Sequence, residues 1–324
     1  MKVFITGGTG FIGSHLVRFL LERRNAEIFA LVRDRTRLRW LEGLNIRLLE
    51  GDLHSIPALP SDIDYVFHIS GLTKTVNLAD YYTVNQDGTA SLFQALHSYR
   101  VHPKKVICLS SLTASGPSGS GRSVKEHDTP WPVSPYGKSK LLGELEALKW
   151  KEDFPVIILR PGAVFGPRDK DFLPYFKLVK FGILLTYASG KQLFSLIYVK
   201  DLIRAFDLCI QNDLESGEVI NVVDPTPYLW EDIGLAAGKA LGKNLLRIRA
   251  PLPVVFFYAL ASDVISKTIR KPLTINKHKY NDIKQSGWVA DTKKAEELLL
   301  FSPRFTLEEA VKETIEWYTE QGWL

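Results

Sequence analysis

The chain has 324 residues, roughly twice a ~150-residue domain, so its length predicts one large domain or two unequal ones. Apolar residues make up 45% and charged residues 24%, which excludes a disordered or collagen-like chain. The net charge of +5 is too mild to argue for nucleic acid, and the two cysteines, Cys108 and Cys209, exclude a disulfide scaffold and cysteine-based zinc sites.

Met1-Lys2-Val3-Phe4-Ile5 has no charged leader ahead of an apolar run, so a soluble, cytoplasmic protein is expected. Short β-rich runs at 3–6, 27–33, 46–50, 65–69, 105–110 and 156–159 alternate with helix-period segments at 11–24, 85–99 and 134–151. Strands that are nearly all apolar, separated by helices, predict a parallel sheet covered on both faces. That is the doubly wound α/β, Rossmann-type architecture, which binds ligands beyond the carboxyl ends of its strands. Past Gly166-Pro167 the pattern loosens, but a helix at 199–211 and a strand at 219–223 form one further unit expected to rejoin the sheet. Leu307, Ala310, Val311, Thr314, Ile315 and Tyr318 mark one face of a last helix. The longest apolar stretch, 254–261, falls far short of the ~20 residues of a membrane span, so no integral membrane segment is expected.

Thr6-Gly7-Gly8-Thr9-Gly10-Phe11-Ile12-Gly13 follows the first strand and opens the first helix. Gly7 permits a tight turn, Gly10 lets backbone N–H groups approach a pyrophosphate, and Gly13 lets the helix pack on the sheet. Phe11 and Ile12 begin that helix, whose positive end would carry the diphosphate. A dinucleotide-binding domain is therefore drawn as 1–165 plus 196–224, with a smaller substrate-binding cap at 166–195 plus 225–324. Twenty residues past Gly13, where NAD-type sites place a carboxylate, stands Arg33, with Arg35 and Arg37 behind it. A guanidinium pairs with a 2′-phosphate through forked hydrogen bonds, so NADP(H) is favoured and NAD(H) is the alternative, with Asp34 as ribose ligand. Asp52, in Gly51-Asp52-Leu53, is placed to meet the adenine edge or to serve as a turn residue.

Tyr136-Gly137-Lys138-Ser139-Lys140 starts a helix after Ser134-Pro135, and Tyr136 and Lys140, four apart, share a face. A neighbouring ammonium favours the phenolate and would bring Tyr136 toward useful acidity at neutral pH. Leu141, Leu145 and Leu148 mark a second face, expected to pack on the sheet. The fifth strand ends in Ser110-Ser111-Leu112-Thr113. Ser111 is the chosen substrate-facing hydroxyl, with Ser110 and Thr113 as alternatives. His68 is read as structural, both cysteines as small buried groups, and no metal is called for.

With these elements in place the sequence resembles the extended short-chain dehydrogenase/reductase superfamily, which includes NAD(P)-dependent sugar epimerases and dehydratases. The likeness rests on residues 6–13, Gly51-Asp52-Leu53, Asn85-Gln86-Asp87-Gly88-Thr89, Ser110-Ser111 and residues 136–140. It continues through Arg160-Pro161, Gly166-Pro167, Tyr198-Val199-Lys200-Asp201-Leu202 and Gly287-Trp288 with Asp291. It implies a catalytic triad of Ser111, Tyr136 and Lys140, the lysine also holding the nicotinamide ribose. Cofactor contacts from Leu53, Asn85 and the backbone from Pro161 to Val164 are implied as well, as is a homodimer.

Three departures narrow the branch. Leu112 and Thr113 stand where 4,6-dehydratases of the superfamily carry an Asp-Glu pair, so dehydration is not expected. Phe194 stands where its sugar-nucleotide enzymes present an Arg to the substrate diphosphate, and Ala163 where they use an Asn. The pattern instead resembles the dihydroflavonol reductase and 3β-hydroxysteroid dehydrogenase branch. Residues 251–258 are read as a cap-domain core helix, with two alternatives. They could line an apolar substrate pocket, or make weak contact with a membrane surface beside Lys267, Arg270 and Lys271. The expectation is reversible hydride transfer between NADP(H) and an apolar ketone or secondary alcohol. A nucleotide-sugar 4-epimerase with tightly held NAD and a non-catalytic NADP(H) sensor are the rivals.

Overall fold

Strands without a polar face need cover on both sides, and the order of elements along the chain supplies it. The computed structural model describes residues 1–36, 38–119, 121–273 and 275–324. The chain opens with β1 (Lys2–Thr6), α1 (Phe11–Arg24), β2 (Glu27–Val32), β3 (Arg47–Glu50) and β4 (Tyr65–His68). A short α2 (Ala79–Tyr82) passes through a π-turn at Thr83–Asp87 into α3 (Gly88–Ser98). Then come β5 (Lys105–Leu109), α4 (Leu112–Ser115), α5 (Pro135–Leu148), β6 (Val156–Pro161) and β7 (Ala163–Phe165). They are followed by α6 (Leu173–Lys180), β8 (Ile183–Tyr187), β9 (Leu193–Phe194), β10 (Leu196–Tyr198), α7 (Val199–Gln211) and β11 (Glu218–Val222). The remainder is β12 (Tyr228–Leu229), α8 (Trp230–Leu241), β13 (Leu246–Ala250) and α9 (Leu252–Ile269). Last come α10 (Lys277–Ile283), β14 (Gly287–Trp288), α11 (Lys293–Leu299) and α12 (Leu307–Glu320).

Seven strands form one parallel sheet in the order β11-β6-β5-β4-β1-β2-β3, the Rossmann-like arrangement expected from the sequence. Alternate residues of β1 face opposite layers. Val3 and Ile5 pack with Leu16, Leu20 and Phe206 under α1 and α7, while Phe4 packs with Phe93, Leu96 and Phe154 on the α3 side. The helix–strand unit of α7 and β11 returns to the sheet edge beside β6, as the sequence predicted. Short sheets β7-β10, β9-β12-β14 and β8-β13 carry the rest.

The helical run expected from residue 85 is present, its first three residues within a π-helical turn that leads into α3 at Gly88. Two local expectations are overturned. On α5 the buried residues are Gly137, Ser139, Gly143, Glu144 and Ala147, whereas Leu145 is 49% exposed. Close approach to neighbouring backbone selects small residues there, and the leucines point outward or lie at the margin. The stretch 251–258 is not a core helix. It begins the 18-residue α9, which has the length and composition of a membrane span and is only 22% buried. Measured as a whole helix, it does not fall far short of a span, because Ser262, Asp263 and Ser266 interrupt the apolar run without ending the helix.

Candidate active site

β1 ends at Thr6, and Gly7 turns the chain at φ +76°. A Cβ on Gly7 would lie 2.6 Å from the Ser70 amide nitrogen just past β4, at the point where strand order reverses. A Cβ on Gly13 would lie 2.2 Å from the Gly7 carbonyl oxygen, so α1 can start this close to the turn only with glycine there. Gly10 caps α1 with no side-chain hydrogen bond, which leaves the first-turn amides of Phe11, Ile12 and Gly13 aimed at an anion. The turn thus fits the diphosphate of a dinucleotide.

At the adenosine end, Arg33 is exposed just beyond β2. Arg35 is turned onto β3, where its Nε donates to Glu50 Oε2 (3.1 Å) and its Nη2 to the Leu48 carbonyl (3.0 Å). Arg37 lies outside the described residues. Asp34 Oδ1 accepts from the Thr36 amide (2.8 Å) and hydroxyl (2.6 Å), closing its own turn. Asp52 is likewise a turn residue, since its Oδ1 accepts from the amides of His54 (2.8 Å) and Ser55 (2.9 Å). Leu53 is core, wedged where a Cβ on Gly88 would meet it at 2.6 Å.

A buried relay ties this end to α5. Thr89 Oγ1 donates to the Asn85 carbonyl (2.8 Å), so it accepts from His68 Nε2 (3.0 Å). His68 Nδ1 then accepts from Thr6 Oγ1 (2.8 Å), which itself accepts from the Ser70 amide (3.3 Å). Burial, reinforced by the Lys140 charge, pushes the imidazole down to about 3, so it stays neutral and the relay keeps one direction. Asn85 Nδ2 donates to the Leu72 carbonyl (3.1 Å) and to Ser139 Oγ (2.9 Å), and its Oδ1 accepts from the Leu72 amide (2.7 Å). Ser139 Oγ donates to the Tyr136 carbonyl (2.8 Å). Asn85 is buried, and its amide group clamps the loop after β4 to α5.

Tyr136 lies in the first turn of α5, behind Ser134, whose hydroxyl caps the Gly137 amide (3.3 Å). A Cβ on Gly137 would stand 2.4 Å from the Thr113 carbonyl oxygen, so glycine brings the phenol to α4. Ser111 caps α4, its Oγ accepting from the Thr113 amide (3.2 Å) and hydroxyl (2.9 Å), and it faces the Tyr136 hydroxyl. The Tyr81 ring lies 5.9 Å from that of Tyr136. Ser110 points the other way, onto Glu144.

The acid-shifted phenol expected from Lys140 is not what the structure shows. Burial raises Tyr136 well above its ordinary value, and the Ser111 hydroxyl offsets only part of that. Lys140 Nζ donates to the Leu109 carbonyl (2.6 Å), and burial pushes it down to about 8.

Sequence reasoning missed the buried ion pair below the site. Arg160 on β6 donates through Nε and Nη2 to Glu144 Oε1 (2.9 Å) and Oε2 (2.6 Å), and through Nη1 to Ser115 Oγ (2.9 Å). Both side chains are under 5% exposed. The available signal was an acid four residues past Lys140 on a face otherwise made of small residues. Pro161 closes β6, and a Cβ on Gly162 would lie 2.2 Å from the Ser195 carbonyl oxygen. Val164 is half-buried on β7, against the core. Ala163 donates its amide to the same Ser195 carbonyl (3.0 Å), and Phe194 packs edge-on against Trp230 at 6.0 Å.

The profile of the NAD dependent epimerase/dehydratase family matches residues 3–222. The chain is 27% identical to the ceramide reductase of Caulobacter vibrioides, covering 99% of this chain and 96% of that protein. It is also 27% identical to mouse 3 beta-hydroxysteroid dehydrogenase type 7, covering 97% and 94% respectively. Among solved structures, the UDP-glucuronic acid 4-epimerase of Bacillus cereus with UDP-glucuronic acid and NAD superposes with a TM-score of 0.80. It is 23% identical, over 99% of this chain and all of that one, a likeness of fold.

Replacing Glu144 by Gln leaves the Arg160 charge buried without its carboxylate and is expected to cost about 3–5 kcal/mol in urea unfolding. The double change Glu144→Gln, Arg160→Met should recover most of that loss. Because Lys140 titrates at about 8 when folded against an ordinary 10.5, the unfolded chain binds more protons between those values. Stability contributed by this group therefore rises with pH from about 8 to 10. Lys140→Met should flatten that part of the measured stability–pH curve.

Proposed function

Because the chain belongs to the NAD dependent epimerase/dehydratase family, we propose that it is an NADP(H)-dependent oxidoreductase interconverting an apolar ketone and its secondary alcohol. The observation that carries this reading is the apposition of the Ser111 and Tyr136 hydroxyls at the carboxyl end of β5, with Lys140 one turn along α5. The first-turn amides of α1 would hold the cofactor diphosphate, Arg33 its 2′-phosphate, and Tyr136 and Lys140 the second ribose. Asp34 is committed to its own turn, which supports a phosphate partner for Arg33 over a carboxylate-bound ribose. When bound there, the dinucleotide supplies or accepts a hydride.

The protein's own groups handle the proton. Ser111 and Tyr136 hydrogen-bond the substrate oxygen, and a phenol held protonated by its surroundings suits donation to a developing alkoxide, the reductive direction. The Lys140 ammonium, one turn along α5, would favour the anion that donation leaves behind. Phe194 and Ala163 offer neither charge nor amide to a substrate diphosphate, and relatives are named for a ceramide and a steroid, both supporting an apolar substrate. We place the enzyme in the cytoplasm, as a homodimer with its substrate cap built from 166–195 and 225–324.

Purified chain should reduce members of an apolar ketone panel with NADPH, and Tyr136→Phe should lower turnover about 10²–10⁴-fold. Equal turnover in that variant would remove Tyr136 from the chemistry. Chain that purifies with NAD(H) and is thermally stabilised by a UDP-sugar but not by NADPH would identify an epimerase instead. Arg33→Asp should weaken NADPH binding at least about tenfold and leave NADH binding alone. Unchanged NADPH affinity contradicts the 2′-phosphate assignment.

A further inference from the structure

The helix α9 has its amphipathicity reversed. The residues it buries against the protein are Val255, Ala259, Ser262 and Ser266. These are small or polar, recurring at helical spacing along one side. The opposite side carries Val254, Phe257, Tyr258, Val264 and Ile265, between 49% and 68% exposed. A water-facing stripe of large apolar residues over about three turns is the reverse of what a soluble surface helix shows, and a contiguous patch of this kind marks a contact surface.

The charge around the stripe says what covers it. Between residues 247 and 284 the chain carries eight Lys or Arg and two Asp, a net +6 against +5 for the whole protein. All the excess positive charge thus lies in the strand leading into α9, in the helix itself and in the segment after it. Lys267, Arg270 and Lys271 are exposed at its C-terminal end, and Arg247 and Arg249 are exposed just before its start. Apolar residues flanked at both ends by exposed cations match a bilayer whose headgroups are anionic.

Orientation follows from the packed side. Phe256 meets the Tyr280 ring of α10 edge-on at 5.2 Å, and Asp263 Oδ1 accepts from the Lys277 amide (3.4 Å). Protein therefore occupies one side of α9 along its length, and lipid cannot surround it as it would a spanning helix. We infer that α9 is an in-plane membrane-docking helix, seating Phe257, Tyr258, Val264 and Ile265 in the acyl boundary of an anionic phospholipid surface. This surface stands apart from the reaction proposed above and is read without any activity measurement.

The test is flotation of the full chain with vesicles of phosphatidylcholine alone or mixed with phosphatidylglycerol. The chain should float with the mixed vesicles and much less with phosphatidylcholine, and high salt should release part of it. Phe257→Ser/Val264→Ser/Ile265→Ser and, separately, Lys267→Glu/Arg270→Glu/Lys271→Glu should each lower the bound fraction at least about tenfold while melting as the parent does. All six positions are exposed, so folding should survive both triple changes. Failure to float with mixed vesicles, or flotation untouched by the apolar triple change, overturns the proposal. A dimer in lipid-free solution that the apolar triple change splits, without vesicle binding, assigns the face to a second copy. Retention on vesicles after alkaline carbonate assigns α9 as spanning and overturns the in-plane placement.

Discussion

The placement of α5 is the constraint on which the candidate site depends. Two of its glycines lie against backbone oxygens, Gly137 against Thr113 and Gly143 against Asn85, where a Cβ would come within 2.4 Å and 2.3 Å. Packing that close leaves no freedom to slide, and the buried Glu144–Arg160 pair fixes the remaining rotation by forked hydrogen bonds. The pair is costly to desolvate, so its contribution is better seen as geometry than as stability. It sets the turn of α5 on which Tyr136 and Lys140 project.

The same helix is held from the other side by a chain of hydroxyls, an imidazole and an amide running from Thr6 to Ser139. This relay joins β1, β4, the π-turn and α5, the elements that surround the crossover in strand order. Asn85, inside the π-turn, gives its side chain to Leu72 and Ser139 and its carbonyl to Thr89, and π-bulges are frequent at functional sites. Electrostatics inside the site follow from exclusion of water. His68 is held neutral, Lys140 is pushed down to about 8, and Tyr136 is held protonated, each chiefly by burial.

The C-terminal part of the chain is governed by surface rather than by sheet. Aromatic rings of Phe172, Tyr175 and Phe194 pack around Trp230. Asp201 pins the segment before α12 by accepting from the Arg304 amide (2.9 Å). Packed against α10, α9 exposes large apolar residues along one side.

The order of strands and helices, the glycine turn, and the place of Tyr136 and Lys140 one turn apart on a helix were legible in the amino-acid sequence. They rest on periodicity, on glycine stereochemistry and on i to i+4 spacing, which are local properties. Roles that depend on contacts across the chain were not. Asn85 and Leu53 matched a motif, yet tertiary packing gave the side chain of each a partner within the protein itself. Glu144 and Arg160 are sixteen residues apart, and no spacing rule joins a helix to the neighbouring strand. The sense of α9 was equally hidden: periodicity shows that a helix has two faces, but only its packing against α10 decides which one meets water.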